Sequence, residues 1–242
     1  MLHINIYDGR VDFMNKDTTQ IFMTELDTYL FGQGTHYEIY NKMGAHLAVK
    51  NGKEGVYFVV WAPKAKEVYV VGDFNDWRAY GYDMKPVSDG GVYELFVEGA
   101  KAGQCYKFLI ISQDGEALYK ADPYANAAQL RPETASVITD LTGFKWTDDK
   151  WVENKKKEDH LSSAMSIYEC HIGSWRKQKD GTKDGYMNYR DIAHELAEYV
   201  SDMGYTHVEL HPVMEFLEDG SDGYPTSAYF AVSTRYSTPA DF

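Results

Sequence analysis

"VYVVGDFNDW", Val68 to Trp77, is the point where a β-pattern gives way to an aromatic-bearing loop. Apolar residues at strand spacing run into Gly72 and Asp73, and Phe74 and Trp77 then follow on a loop rich in Asp and Asn. Outward from this stretch the same period of two recurs. "VYFVVWAP" precedes it, and "GVYELFVEG", "CYKFLIIS" and "EALYKADP" follow, separated by Gly, Pro, Asp and Asn clusters. Several short strands with turns between them predict an all-β sandwich of about 100 residues, placed at residues 51–144. Two rings on a polar loop either pack internally or offer a flat apolar platform to a ligand.

The flanks read differently. Residues 1–50 are expected to be an irregular leader with short helices, "TTQIFMTELDTYLFGQ" carrying a weak helical stripe that ends near Gly32. Residues 145–163 are charged and poor in aliphatics, which predicts a linker with a solvated charge run at Lys155 to Asp159. From residue 164 the pattern becomes strand ("MSIYECHIGSW"), amphipathic helix ("NYRDIAHELAEYVSDMGY") and strand ("THVELHPVMEF"). Ile192, Leu196, Tyr199, Val200 and Met203 form the apolar stripe of that helix, with Asn188 as its N-cap. Strand, helix, strand is a βαβ unit and hence the start of a parallel sheet. A closed eightfold β/α barrel takes roughly 250 residues. Only 78 remain from Met165 to Phe242, so the α/β part is expected to be incomplete, as though cut short.

Composition narrows the function classes. A formal net charge of −13 repels phosphate backbones and anionic lipid heads, so neither nucleic acid nor a membrane surface is an expected partner. The two cysteines, Cys105 and Cys170, lie in apolar runs, which predicts buried thiols and a reducing cytoplasm rather than a disulfide framework. No secretory pattern opens the sequence and no apolar run is long enough to span a bilayer. Aromatics are abundant, with 20 Tyr, 11 Phe and 5 Trp. Tyr and Trp join a flat apolar face to a polar edge, which suits polyhydroxylated rings, although such residues also simply fill β-sheet cores. Serine nucleophile elbows, Walker loops and paired CxxC motifs are absent.

The stretch "VYFVVWAPKAKEVYVVGDFNDW", with "CYKFLI", "KADPYA" and "RPETAS" after it, resembles the glycogen branching enzymes (1,4-α-glucan branching enzymes) of the α-amylase superfamily. "YLFGQGTHYEIYNKMGAH", "SIYECHIGSWRK", "GYTHVELHPVMEF" and "GYPTSAYFAVSTRYSTPADF" extend the resemblance over residues 29 to 242. It implies an immunoglobulin-like sandwich of the family 48 carbohydrate-binding type, followed by the first βα units of a (β/α)8 TIM barrel. It also implies a retaining transfer in which an α-1,4-glucan chain is cut and passed to a C6 hydroxyl, forming an α-1,6 branch. Retaining enzymes hold nucleophile and acid carboxyls about 5–5.5 Å apart. In this family those groups, and a stabilising Asp, follow barrel strands 4, 5 and 7, which are not among these residues. No residue here is therefore assigned a catalytic role, and this portion alone is expected to be inactive. No cofactor is implied, α-glucan or glycogen is the implied partner, and the oligomeric state is not legible.

The resemblance singles out Tyr224, which matches the Tyr of the family's "GSWGYQ" loop that stacks on a bound glucose. The sequence departs there, with Asp222 in place of Trp and Pro225 in place of Gln. Trp77 is the candidate sugar platform of the sandwich, joined by Phe74 and Asn75. The competing reading makes Trp77 an interdomain wedge, and Trp61, within a strand, is expected in the core. His207, Glu209 and His211 alternate along one strand face, but this chemistry needs no metal and none is expected. His171 is expected to be a hydrogen-bonded structural histidine. Two rivals stand beside the main reading: a non-catalytic α-glucan-binding adaptor, and a debranching or trehalose-releasing hydrolase with the same module and barrel.

Overall fold

In a computed structural model of the protein, residues 22–157, 162–178 and 185–242 are described. The first part of the expected leader and part of the expected linker lie outside them. The chain divides into two compact units, one running to Asp122 and regaining Ile138–Thr142, the other holding Pro123–Val137 and Gly143–Phe242.

In the first unit, helix α1 (Glu25–Gly32) begins where Thr24 and Asp27 cap each other. The Asp27 amide donates to Thr24 Oγ1 at 3.2 Å and the Thr24 amide to Asp27 Oδ2 at 2.9 Å. The strands are β1 (Gly44–Lys50), β2 (Lys53–Trp61), β3 (Ala65–Gly72), β4 (Lys85–Pro86), β5 (Val92–Glu98), β6 (Cys105–Ser112) and β7 (Ala117–Lys120). They form two antiparallel sheets, β1–β2–β5–β4 and β3–β6–β7. Val56, Phe58 and Val60 of β2 alternate into the space between the sheets, where they meet Val68 and Val70 of β3, Val97 of β5, and Tyr106 and Phe108 of β6. Burying each such side chain is worth roughly 1.5–3 kcal/mol, so this shared core defines a β-sandwich.

One expectation changes here. Residues 44–50, assigned above to the leader, form β1, paired with β2 from Gly44↔Val59 to Lys50↔Lys53. The turn is Asn51–Gly52, both at positive φ (53° and 75°), the geometry that matches strand twist in two-residue hairpins. The outer face of β2 is also covered, because Phe22 stacks on Tyr57 at 4.7 Å and 13°. Tyr57 is consequently as buried as its inward neighbours.

In the second unit, β8 (Ser136–Val137) is followed by α2 (Asp149–Lys155), a short helix within the stretch expected to be linker. β9 (Ile167–His171) leads through α3 (Ile172–Trp175) to α4 (Tyr189–Asp202). The Asn188 side chain accepts from the Asp191 amide at 2.9 Å and caps α4 as expected. Ile192, Leu196 and Val200 are buried with Cys170 and Tyr236, whereas Met203 falls past the end of the helix and is exposed. β10 (His207–His211) runs parallel to β9, completing the βαβ unit. The sequence reading continued this strand to Phe216. Instead it stops before Pro212, which has no N–H to donate to a ladder. β11 (Met214–Phe216) pairs antiparallel with β12 (Thr226–Val232) in a separate two-stranded sheet. Both cysteines are free thiols. Among the described residues no helix is long and apolar enough to cross a membrane.

Candidate functional site

The Val68–Trp77 stretch builds a rigid loop. β3 ends at Gly72, where a Cβ would lie 2.3 Å from the Cys105 carbonyl oxygen, so only glycine fits against β6. Asn75 is buried; its Oδ1 accepts from the Gly72 amide at 2.9 Å and its Nδ2 donates to the Val70 carbonyl at 3.1 Å. Phe74 packs into the core beside Phe58 and Tyr82, at centroid distances of 5.3 and 6.0 Å. These two candidates are thus occupied in shaping the loop, because their contacts point inward. Trp77 remains 38% exposed. Its indole N–H donates to Asp73 Oδ1 at 3.1 Å and its amide to the Gly72 carbonyl at 3.0 Å. Asp76 and Trp77 both sit in the left-handed region, at φ 52° and 60°, an uncommon state for a bulky residue and one that accumulates at functional sites. The Asp73 carboxylate also accepts from the Cys105 amide at 2.7 Å. Partial burial and the neighbouring Asp73 charge push the Cys105 thiol up, away from the reactive thiolate.

Trp61 is the residue that sequence reasoning misplaced. Expected in the core, it ends β2 on the outer sheet face and is 55% exposed. The edge of Phe31 lies against it at 5.8 Å, and its indole N–H bonds the Gly90 carbonyl at 3.0 Å. Strand residence predicts which face a residue takes, but not whether that face is covered.

The second candidate lies at the carboxyl ends of β9 and β10. Their parallel register places Glu169 beside Glu209 and His171 beside His211. Tyr224, 67% exposed, hydrogen bonds through its hydroxyl to His211 Nδ1 at 3.2 Å. His211 Nε2 lies 3.6 Å from Glu169 Oε2. His171, expected to be a hydrogen-bonded structural residue, contacts the Asp222 carbonyl and Ser174 Oγ, each at 3.1 Å. One ligand atom each of Glu169, Glu209 and His211 falls within a 4.8 Å group. His207 stands apart, bonded to Thr206 Oγ1 at 2.8 Å. His207 lies four residues from His211, about 13 Å along the strand, so a cross-strand neighbour is closer to His211 than His207 is. Glu169 and Glu209 are exposed and His211 is half-buried, and His211 Nδ1 is already engaged by the Tyr224 hydroxyl.

Beneath the Tyr224 loop lies an ion pair that the sequence reading did not single out. Glu215 is buried and accepts from the Phe216 amide at 3.0 Å, and from the Thr234 amide and hydroxyl at 2.7 Å each. Arg235, whose side chain is 1% exposed, donates to it from Nη1 at 2.9 Å. Asp219 receives Arg235 Nη2 at 2.8 Å and Arg131 Nε at 2.7 Å. Burial alone would raise the Asp219 carboxyl, but these two arginines hold it below the usual carboxylate range.

Comparison with known proteins fits this geometry. Residues 42–125 match the family described as Carbohydrate-binding module 48 (Isoamylase N-terminal domain). Over 223 residues, 92% of the chain, it is 52% identical to the 1,4-alpha-glucan branching enzyme GlgB of Butyrivibrio fibrisolvens, covering 35% of that protein. Over 218 residues, 90% of the chain, it is 47% identical to GlgB of Protochlamydia amoebophila, covering 30%. Among solved structures, the catalytic module of the glycogen-degrading pneumococcal virulence factor SpuA gives a TM-score of 0.60 at 22% identity, over 83% of this chain and 33% of that one. Pullulanase from Bacillus acidopullulyticus gives 0.58 at 20% identity, over 83% and 26%. These two likenesses concern the fold alone. The chain spans about a third of the length of the curated relatives it matches. Its sequence is similar to those of glycogen branching enzymes, and its residues 42–125 match carbohydrate-binding module 48.

Proposed function

We propose that this chain supplies the α-glucan-handling module and the first βα units of a glycogen branching enzyme, with an α-1,4-glucan as its partner. The whole protein would cut such a chain with retention and transfer it to a C6 hydroxyl. The observation that carries this reading is the 52% identity over 92% of the chain to a 1,4-alpha-glucan branching enzyme. The sandwich would be the immunoglobulin-like type, and β9–α4–β10, a parallel pair joined by a helix, would open a (β/α)8 barrel. Active sites of that fold collect at the carboxyl ends of the strands, which is where His171, His211 and Tyr224 meet.

Trp77 is the proposed sugar platform of the sandwich, since its ring is held by Asp73 and left partly open. Tyr224 is the proposed stacking residue on the barrel side. Phe74 and Asn75 support the Trp77 loop from beneath. The nucleophile, the acid and the stabilising Asp belong to other barrel strands, and no residue of this chain takes those roles. The test is incubation of the chain with amylose while the iodine complex is followed. An unchanged spectrum is expected, and transfer to α-1,6 linkages would overturn the assignment of catalysis to residues outside this chain.

A further inference from the structure

We propose that Arg235 is a positioning residue for Tyr224, acting through the Phe216 ring and the backbone of Gly223. The inference rests on the reading that the Tyr224 loop meets the glucan. The hydrogen bonds of the Arg235 guanidinium divide in a telling way. Nη1 pairs with the Glu215 carboxylate at 2.9 Å and reaches Ser233 Oγ at 3.4 Å, while the remaining bonds go to residues 216–219, the first half of the loop. Nη1 also bonds the Phe216 carbonyl, Nη2 bonds the Leu217 carbonyl at 3.0 Å, and Nε and Nη2 reach Asp219 at 2.9 and 2.8 Å. The Cζ of the same group lies over the Phe216 ring, 3.7 Å from its centre.

The ring passes this placement on. Gly223, at φ 86°, runs so close to Phe216 that a Cβ there would fall 3.2 Å from ring atoms Cδ1 and Cε1 and from Pro212 Cβ. Tyr224 follows directly, and its hydroxyl meets His211. The fork on Phe216, Leu217 and Asp219 is what ties the pair to the loop. Lysine cannot replace it, because an ammonium is a point donor without a plane to stack or a fork to spread.

The experiment is a set of NOE measurements on the full chain with ring-labelled tyrosine and histidine, Tyr224→Phe serving to assign the Tyr224 signals. In the native chain an NOE is expected between the Tyr224 ring and the His211 imidazole, since the Tyr224 hydroxyl lies 3.2 Å from His211 Nδ1. Arg235→Lys, which keeps the buried charge, is expected to abolish it while the Tyr168–Tyr199 NOE, from rings 5.3 Å apart, persists. Persistence of the Tyr224–His211 NOE in the folded variant would overturn the proposal. Should Arg235→Lys fail to fold, Phe216→Leu decides in the same way, since it removes the intermediate ring and leaves the ion pair. Maltoheptaose is added in a separate arm and is expected to shift the Tyr224 signals of the native chain. No shift there would remove the substrate reading, and the NOE comparison would still decide the positioning role.

Discussion

Trp77 holds a left-handed backbone at φ 60°, a state that costs a residue with a Cβ about 1–2 kcal/mol relative to glycine. The loop retains it because the ring is then aimed outward, with its N–H on Asp73. Trp77→Gly and Trp77→Ala both remove the ring and differ in this backbone cost. Trp77→Gly is expected to be the more stable by about 1 kcal/mol in urea titration, and equal stability would dismiss the strain. Asp27 gives a second prediction at this scale. Burial raises its pKa, but hydrogen bonds from His36 and Thr24 and the Lys42 charge outweigh that and hold the carboxyl at about 2. A carboxyl depressed in the folded state contributes stability above its unfolded value, near 4. That stability is lost as pH falls through the folded value. The melting-temperature advantage of the native chain over Asp27→Asn should be present at neutral pH and disappear between about pH 4 and pH 2. Trp77 was legible in the sequence as an aromatic on a polar loop. Its strain was not, because neither Asp76 nor Trp77 is the glycine that usually announces a positive φ.

At the scale of elements, α4 was the most legible, since its stripe and its Asn188 cap are both local signals. β1 was missed although Asn51–Gly52 is a strong hairpin turn, because "GAHLAVK" offers little alternation to set against its partner. The break at Pro212 was a readable signal passed over in favour of a longer strand. The Glu215–Arg235 pair was beyond reach, since its partners lie 20 residues apart and meet only when β12 folds back on β11. It gives the element-scale prediction. Glu215→Gln leaves the buried Arg235 with Asp219 as its remaining carboxylate partner and should cost about 1–3 kcal/mol. A loss under about 1 kcal/mol in denaturant titration would show that the hairpin does not depend on the pair.

For the whole molecule, the sequence patterns separate a β-part at 51–144 from an α/β part, whereas the two compact units alternate along the chain, Pro123–Val137 belonging to the second and Ile138–Thr142 to the first. The boundaries were less legible, because β1 and α2 lie in stretches whose composition resembled leader and linker. The net charge of −13 matters at this scale too. α-Glucans are uncharged, so binding by ring stacking should change little between low and high salt, whereas binding to a charged partner would weaken. The most direct measurement is electrophoresis of the native chain and Trp77→Ala through gels with and without glycogen. The account predicts that glycogen retards the native chain and that Trp77→Ala migrates as it does in the glycogen-free gel. Equal retardation of the two, or none for the native chain, would contradict it.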